Sequence, residues 1–249
     1  FFLDRYIGFL GGGIRNFGGI ERPVIFKTTD GGENWERLIR FPVGFGFGQS
    51  DRIKEIQFFN SRKGIVLTTR GLFQTDDGGS NWTNISERLP NNSGGILMEF
   101  VNNTTGFIFD EQGKLFKTYN QGNSWFEVNS INAPNSEISC ISASSFEKLY
   151  ACAENGYWKS EDNGHIWILN SSNQAKFDAI AFKDDELGFA AISSSSGNVS
   201  LFRTQNGGVQ WVPEQIPTPI NEVVEMTYLQ SLKRVVAISR DGTVIGLED

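Results

Sequence analysis

Five segments of the sequence repeat a Ser/Thr-x-Asp/Asn-x-Gly-x-x-Trp pattern, and the first reads KTTDGGENW from Lys27 to Trp35. Each copy, called a box below, sets a hydroxyl, a carboxylate or amide, and an indole at fixed spacing. Such a set could bind a ligand or hold a tight turn. A Ca²⁺ loop needs more carboxylates per copy and a closing Glu, and five equivalent positions spread around a repeat array cannot meet at one substrate. We therefore predict a structural role for the box residues. They are Asp30, Trp35, Asp77, Trp82, Asn120, Trp125, Asp162, Trp167, Asn206 and Trp211.

Few other residues could carry catalysis. His165 is the only histidine, and it lies inside the fourth box. A histidine triad, a His-ligated zinc ion or a histidine general base would all have to use this one turn residue. The glycine run at residues 11–13 follows a strand-like segment and opens no helix, so it is not a nucleotide-binding loop. The sequence carries no enzyme signature, and we expect no metal and no cofactor.

The spacing of the boxes indicates which elements position them. Their Asp or Asn residues follow one another at intervals of 47, 43, 42 and 44 residues, a period typical of β-propeller blades. One period divides into four strand-like segments, strands A to D, at residues 53–59, 64–69, 71–75 and 81–86. Short turns rich in Gly, Asn and Asp separate them, as an antiparallel meander requires. Each box then lies in the turn from strand C to strand D.

This frame predicts an all-β, six-bladed β-propeller of four-stranded antiparallel blades, in a single domain of residues 1–249. The approximate blade bounds are 1–49, 50–92, 93–134, 135–174, 175–219 and 220–249. The last blade lacks its outer strand D, and the first blade begins with only the end of strand A. We expect residues before Phe1 to supply the missing strand, because closure of this kind removes an exposed sheet edge.

The box pattern resembles the Asp-box, or bacterial neuraminidase (BNR) repeat, whose families are β-propellers. The longer unit FLDRYIGFLGG…IFKTTDGGENW is similar to the repeat of photosystem II stability/assembly factors and their non-photosynthetic bacterial relatives, over essentially the whole chain. The resemblance implies a repeat protein that acts as a scaffold and binds a protein partner. It is specific for fold and less so for function, because sialidases and sortilin-type receptors carry the same box.

A carbohydrate-active propeller, either a sialidase-like glycosidase or a glycan-binding module, is the main alternative. A sialidase uses three arginines, a Tyr nucleophile with a Glu partner, and an Asp acid/base. Its first arginine lies in a Phe/Tyr-Arg-Ile-Pro motif, whereas Arg22 here directly precedes Pro23. Tyr228 and Glu225 on an inner strand are the candidate pair. A receptor-like peptide binder, with its ligand in the central channel, is a third interpretation.

The predicted topology indicates where a partner would bind. The B–C turns and D–A links emerge on one face of the propeller, and the two insertions into the period, residues 12–22 and 41–52, lie on that face. Arginines mixed with aromatic residues in an acidic protein favour a site for an anionic or protein partner. The alternative is a solvated rim whose phenylalanines pack under their own loop. The predicted partner-binding residues are Arg15, Phe17, Arg22, Phe45, Phe47, Arg52, Arg70 and Arg240.

Charge and cysteine content limit the surroundings in which the chain acts. Lys and Arg number 22 against 29 Asp and Glu, a net charge of −7, which argues against nucleic-acid and anionic-membrane partners. No stretch reaches the length of a membrane-spanning helix, and we expect a monomer. Cys140 and Cys152 face each other on strands A and B of one blade, as a disulfide or as two buried thiols. A disulfide would support an extracytoplasmic (periplasmic or secreted) location, reached through a leader that is then removed.

Overall fold

The computed structural model consists of short strands joined by tight turns, with one 3₁₀ turn at Ser86–Arg88 among the residues that it describes. Those residues are 1–15, 18–38, 51–90, 95–130, 138–145, 147–154, 156–170, 176–194, 198–215, 220–229, 233–240 and 243–247. They form two compact units, Phe1–Glu111 with Phe116–Glu127, and Gln112–Leu115 with Val128–Asp249. Within the described ranges, no helix has the length and apolar character needed to span a bilayer.

Three antiparallel sheets lie mostly in the first unit, and strands that follow each other in sequence are neighbours in each sheet. Sheet 1 contains β1 (Gly8–Arg15), β2 (Glu21–Thr28) and β3 (Glu36–Leu38). Sheet 2 contains β4 (Ile53–Phe58), β5 (Gly64–Thr68), β6 (Gly71–Thr75) and β7 (Thr83–Asn84). Sheet 3 contains β8 (Gly95–Phe100), β9 (Gly106–Asp110), β10 (Leu115–Thr118) and β11 (Phe126–Val128).

The second unit contains three further sheets with the same order of strands. Sheet 4 contains β12 (Ile141–Ala143), β13 (Leu149–Ala153), β14 (Gly156–Ser160) and β15 (Ile168–Asn170). Sheet 5 contains β16 (Ala179–Phe182), β17 (Gly188–Ser193), β18 (Val199–Thr204) and β19 (Val212–Glu214). Sheet 6 contains β20 (Val223–Leu229), β21 (Arg234–Ser239) and β22 (Val244–Leu247).

These six antiparallel meanders confirm the predicted fold class, an all-β six-bladed β-propeller. In sheets 2 to 5 the four strands correspond to strands A to D. Sheet 6 contains strands A, B and C, so within the described residues its outer strand is missing, as predicted. Sheet 1 begins with strand B, and a short strand A precedes it. There the Phe9 N–H donates to the Phe1 carbonyl at 2.8 Å, and Phe2 forms a bridge with Gly8.

Apolar side chains from successive sheets meet to form the core of the first unit. Between sheets 1 and 2, the rings of Phe9 and Phe58 stack with centroids 3.5 Å apart, and Trp82 meets Phe58 edge-on at 6.1 Å. A second cluster between sheets 2 and 3 includes Trp125. Strand β5 is buried at every residue because its two faces contact these two clusters. Burial on both faces explains why strand B reads as a continuous apolar run rather than an alternating pattern.

The second unit repeats this arrangement with different side chains. Between sheets 4 and 5, Tyr150 stacks on Phe182 with centroids 3.8 Å apart, and Trp211 packs edge-on against Phe182 at 5.9 Å. The Tyr150 hydroxyl donates to the carbonyl of Gly207 in the fifth box at 3.3 Å. Between sheets 5 and 6 the cluster is aliphatic, mainly alanines and β-branched residues. Within each unit, neighbouring sheets therefore bury apolar side chains against one another, as expected of a repeat array.

The boxes share one hydrogen-bond geometry at the C–D turns. The hydroxyl that opens each box donates to Oδ1 of its Asp or Asn at 2.7–3.0 Å and accepts the glycine N–H at 2.9–3.0 Å. The same Oδ1 accepts the N–H four residues further on, at 2.8–3.0 Å. The hydroxyl groups, to which the sequence analysis assigned no role, belong to Thr28, Thr75, Thr118, Ser160 and Thr204. Every polar atom in these contacts bonds inside its own turn.

The tryptophan of the first box packs differently from those of the other four boxes. Trp82, Trp125, Trp167 and Trp211 are buried, whereas Trp35 is 37% exposed and contacts the Phe2 ring edge-on at 6.0 Å. The indole N–H of Trp82 donates to the Gly79 carbonyl at 3.0 Å. The indole N–H of Trp167 donates to the Gly164 carbonyl in the same way, at 2.9 Å, whereas the buried indole N–H groups of Trp125 and Trp211 have no hydrogen-bond partner among the described residues.

The opening hydroxyl can be tested in the second box, where Thr75 is 1% exposed. Thr75→Ala leaves the Gly79 N–H without an acceptor, so we expect the free energy of unfolding to fall by about 1–3 kcal/mol. Thr75→Ser keeps the hydroxyl, as Ser160 does in the fourth box, and we expect a clearly smaller loss. Urea denaturation of both variants measures the difference. Equal losses would show that the methyl group, and not the hydroxyl, stabilises the turn.

The box carboxylates predict an acid-sensitive contribution to stability. The Asn34 N–H, followed by the Thr28 hydroxyl and the Asn34 amide, lowers the pKa of Asp30 from 3.8 to about 2. The Asn81 side chain and N–H likewise lower the pKa of Asp77. A carboxylate with a lowered folded-state pKa stabilises the fold above its unfolded pKa, near 4, and this contribution is lost as the pH falls towards 2.

Asp30→Asn with Asp77→Asn should therefore flatten the decline of stability between about pH 4 and pH 2. The boxes around Asn120 and Asn206 already use an amide in this geometry, so the fold should be retained. Asn120→Asp is the reciprocal variant, and it should steepen the decline. Denaturant titrations at a series of pH values provide the measurement, and identical slopes for all three proteins would contradict the assignment.

Candidate partner-binding site

The end of the β1–β2 hairpin places one predicted arginine beside a carboxylate. Arg15 ends β1, and Glu21, its cross-strand partner, begins β2. The Arg15 Nε lies 3.2 Å from Glu21 Oε1, with the Arg15 side chain 75% exposed. Exposed ion pairs of this kind contribute little to stability. Arg15 is therefore positioned at the surface, and its remaining guanidinium donors face solvent.

A glycine allows the next arginine to approach this hairpin. A Cβ on Gly13 would lie 3.0 Å from the Cβ of Arg52, closer than a side chain there would tolerate without a shift. The neighbouring Asp51 N–H donates to the Glu21 carbonyl at 3.1 Å. The chain entering β4 is thus bonded to the start of β2, which places Arg52 next to the Arg15–Glu21 pair.

Asp51 links this region to the B–C turn of sheet 2. Its side chain is buried, with 2% exposure, and its Oδ1 accepts the Thr69 hydroxyl at 2.7 Å. Its Oδ2 is buried without a hydrogen-bond partner in the described part of the chain. The Thr69 N–H donates to the Arg52 carbonyl at 3.0 Å, and the Arg70 N–H donates to Thr68 Oγ1 at 3.0 Å. These bonds bring Arg70 to the same end of sheet 2 as Arg52.

Arg22 lies on the other face of the hairpin. Its cross-strand partner is Ile14, and cross-strand partners share a face whereas successive residues alternate. The odd-numbered β1 residues face sheet 2, because Phe9 belongs to the core between the two sheets and a Cβ on Gly11 would meet Ile53. Arg15 and Arg22 flank one loop, and their place in the sequence predicts that they lie together. The register of the β1–β2 hairpin instead puts their side chains on opposite faces.

The resulting cationic edge is defined here as Arg15, Arg52 and Arg70, with Lys54 beside them. Among the described residues, Arg52 has no carboxylate or hydrogen-bond partner for its guanidinium. Burial lowers the pKa of the Lys54 ammonium, Glu111 opposes this shift, and Arg52 adds to it. The sequence gives no sign that Lys54 or the buried Asp51 lies at this edge, because an Asp–Arg pair before a strand that begins Ile–Lys is ordinary composition.

The remaining predicted partner-binding residues fall elsewhere. Phe17, Phe45 and Phe47 lie outside the described residues. Arg240 belongs to the second unit, where its guanidinium pairs with Glu222 at 2.7 Å. The structure therefore places three of the predicted arginines at one edge, and a partner-binding role stays a prediction for every residue of the set.

The candidate catalytic pair of a sialidase does not converge. Glu225 and Tyr228 lie three residues apart on β20, so they point to opposite faces of sheet 6. Tyr228 packs against the aliphatic core between sheets 5 and 6, while Glu225 is exposed. His165 is exposed in its box turn. In the ranges that the structure describes, no group of three or more His, Cys, Asp and Glu residues could hold a metal ion.

Cys140 and Cys152 form a disulfide that joins the strand A segment of sheet 4 to β13. The Cys152 N–H donates to the Cys140 carbonyl at 3.0 Å, and the Cys152 carbonyl accepts the Ser139 N–H at 3.4 Å. Ser139 and Cys140 therefore both lie opposite Cys152. This two-against-one arrangement is a β-bulge rather than regular strand pairing. Cys152 is fully buried in the aromatic cluster between sheets 4 and 5.

The fold defines the class of this protein as a β-propeller built from BNR-type repeats. Residues 16–144, just over half of the chain, match the family described as photosynthesis system II assembly factor YCF48. The chain therefore belongs to this family. No curated protein matches its sequence.

Three solved structures illustrate the likeness of fold. A YCF48 bound to D1 peptide is 17% identical, with a TM-score of 0.61, and the alignment covers 100% of this chain and 90% of that one. YCF48 from Cyanidioschyzon merolae is 16% identical, with a TM-score of 0.62 and coverage of 92% and 78%. An ancestral GH74 enzyme is 13% identical, with a TM-score of 0.63 and coverage of 97% and 38%. At these identities the comparison establishes the fold alone.

The disulfide leads to a stability prediction. Residues 12 apart in sequence are joined, and constraint of such a loop in the unfolded chain is worth about 2–4 kcal/mol. We expect Cys140→Ala/Cys152→Ala to lower the free energy of unfolding by about this amount. Denaturation of the natural protein with and without a reducing agent is the companion measurement, because reduction should reproduce most of the loss. An unfolding midpoint that is the same with and without the reducing agent would contradict the disulfide.

Proposed function

We propose that this chain is a non-catalytic scaffold that binds an acidic segment of a protein partner, as a monomer outside the cytoplasm. Membership of the assembly-factor family supports a role in protein binding, and one solved relative holds a peptide. The disulfide between Cys140 and Cys152 supports an oxidising compartment. The candidate catalytic pair, Glu225 and Tyr228, lies on opposite faces of β20.

The observation that carries the proposal is the cationic edge. Arg15, Arg52 and Arg70 come from three separate segments of the chain, and backbone hydrogen bonds around buried Asp51 hold those segments together. The chain as a whole is acidic, with a net charge of −7, so a local cluster of arginines is not explained by composition. Guanidinium groups bind carboxylates with two parallel hydrogen bonds. An acidic protein segment is therefore the complementary ligand.

The position of Asp51 adds a physical reason for a preformed site. A buried carboxylate with one unbonded oxygen is costly unless nearby cations offset its charge. Arg52 and Arg70 flank it in sequence and through Thr69. Asp51 thus holds the backbone of Arg52 and Arg70 at this edge, and among the described residues the Arg52 guanidinium has no hydrogen-bond partner.

A carbohydrate-active function is the alternative, and the GH74 fold likeness is the feature that favours it. It requires carboxylates that converge on a sugar. The candidate pair of Glu225 and Tyr228 lies on opposite faces of β20, which removes the set named for a sialidase. A glycan-binding module without catalysis would bind neutral sugars independently of the arginines.

The proposal predicts a difference between the arginines of the cationic edge and Arg22, which lies on the other face of the β1–β2 hairpin. The probe is a fluorescein-labelled peptide of alternating Glu and Ala, with a Gln–Ala peptide as the uncharged comparison. Arg52→Gln/Arg70→Gln should weaken binding of the acidic peptide about 3–10-fold at low salt, because each partly exposed ion pair contributes up to about 1 kcal/mol. Fluorescence anisotropy measures the affinity.

Arg22→Gln is the matched control for Arg52→Gln alone, because each removes one positive charge and Arg22 lies on the face of the hairpin away from Arg15. It should leave the affinity nearly unchanged, and added salt should weaken binding to the natural protein. Equal effects of the substitutions at Arg22 and Arg52 would indicate non-specific attraction. Equal binding of the Gln–Ala peptide would overturn the acidic-segment proposal.

A further inference from the structure

An open groove of about 600 Å³ lies between sheets 5 and 6, wholly within the second unit. This volume falls in the range of small-ligand pockets. The groove lies where β16 and β20 begin and where β17 and β21 end, so its walls come from two adjacent sheets. Its lining residues are Asp178, Ser193, Ser194, Glu222, Val223, Val224 and Arg240.

Backbone hydrogen bonds fix the polar side chains of this groove. The Ser193 N–H donates to Asp178 Oδ2, and the Val223 N–H donates to Ser193 Oγ at 3.3 Å. These two bonds link sheet 5 to the first residue of β20. Asp178 Oδ1 has no partner among the described residues, because the bond from Ser193 uses the other oxygen. The groove therefore presents a positioned carboxylate with acceptor capacity left over.

On the opposite wall, Arg240 and Glu222 form an ion pair with each other. Arg240 donates from its N–H to the Glu222 carbonyl at 3.0 Å, and its Nη2 lies 2.7 Å from Glu222 Oε1. Glu222 has a φ of 41°, a left-handed conformation that is unfavourable for a residue other than glycine. Arg240 thus clamps a strained residue at the edge of the groove. Arg240 is the one guanidinium among the described lining residues, and because it pairs with Glu222, none of these residues offers an unpaired cation to Asp178.

An ammonium group suits this lining better than an anion or a neutral group. It has three donors and no acceptor, and the groove offers the free oxygen of Asp178 and the Ser193 hydroxyl oxygen as acceptors. Val224 is 52% exposed at the rim. Its isopropyl group can cover the methylene chain of a lysine while the charged end reaches the carboxylate.

We propose that this groove binds the ammonium group of a lysine side chain, with Asp178 as the acceptor of its charge. The lysine belongs to a segment of the protein partner, and in this respect alone the inference rests on the proposed function. It concerns different residues from the cationic edge. A partner that satisfies both sites carries acidic residues and a lysine in separate segments or separate parts of one segment.

The test uses the ¹⁵N-labelled protein and two probes, acetyl-lysine N-methylamide and the same molecule with its ε-amine acetylated. The Ser193 amide bonds to the Asp178 carboxylate, so its NMR shift reports on the groove directly. We expect a saturable shift of the Ser193 and Val223 amides with the first probe and none with the second. A saturable shift with both probes, or with neither, would overturn the proposal.

Asp178→Asn provides the decisive variant, because the amide oxygen can still accept the Ser193 N–H while the charge is removed. It should weaken binding of the lysine probe about tenfold, the loss expected for one hydrogen bond to a charged group. Glu186→Gln, an exposed carboxylate at the other end of sheet 5, removes the same charge and should leave binding unchanged. Equal affinity in Asp178→Asn and the natural protein would also overturn the assignment.

The two proposals fail separately. Arg52→Gln/Arg70→Gln should not alter the response of Ser193 to the lysine probe, since those residues belong to the other unit. Loss of acidic-peptide binding with retained lysine binding would leave the groove assignment standing. The reverse result would leave the cationic edge standing.

Discussion

The hydroxyl that opens each box is the interaction on which the blades depend. One oxygen donates to the Asp or Asn and accepts the glycine N–H, so it ties three points of the C–D turn together. In the second box these bonds measure 2.9 Å each. Outer strand β7 has only two residues, too few for ladder hydrogen bonds to hold it without a fixed turn. The turn also delivers Trp82 to the core between sheets 1 and 2.

Close packing between strands supplies the second repeated constraint. The first residue of strand B is a glycine in several blades, because the aromatic ring at the end of strand A lies where a Cβ would stand. A Cβ on Gly64 would be 2.7 Å from the Phe58 ring, and one on Gly106 would be 2.6 Å from the Phe100 ring. A cation on strand C also lies over an aromatic ring on strand B in four blades. These pairs are Lys27–Phe9, Lys117–Phe107, Lys159–Tyr150 and Arg203–Phe189.

The two proposed sites both lie at the ends of the blades where strand B ends and strand A begins. The cationic edge forms at the B–C ends of sheets 1 and 2, and the lysine groove forms where sheets 5 and 6 meet at the same ends of their strands. The boxes lie at the opposite ends of the blades, in the C–D turns. In sheets 1, 2 and 5 the box residues are thereby separated from the proposed binding residues, so the B–C and D–A segments can change without loss of the turns. Opposite charges at the two sites would select a partner by its charge pattern rather than by one motif.

The sequence alone determined the fold class, the blade order and the place of the boxes, because these depend on turn chemistry and on apolar runs that are local in the chain. The separation of Glu225 from Tyr228 was also predictable, since residues three apart on a strand face opposite ways. The split between Arg15 and Arg22 was not, because it depends on the register of the β1–β2 hairpin. The buried Asp51, the bulge beside the disulfide and the groove at Asp178 arise from contacts between segments far apart in sequence, which local patterns do not encode. Only the tertiary structure decided them.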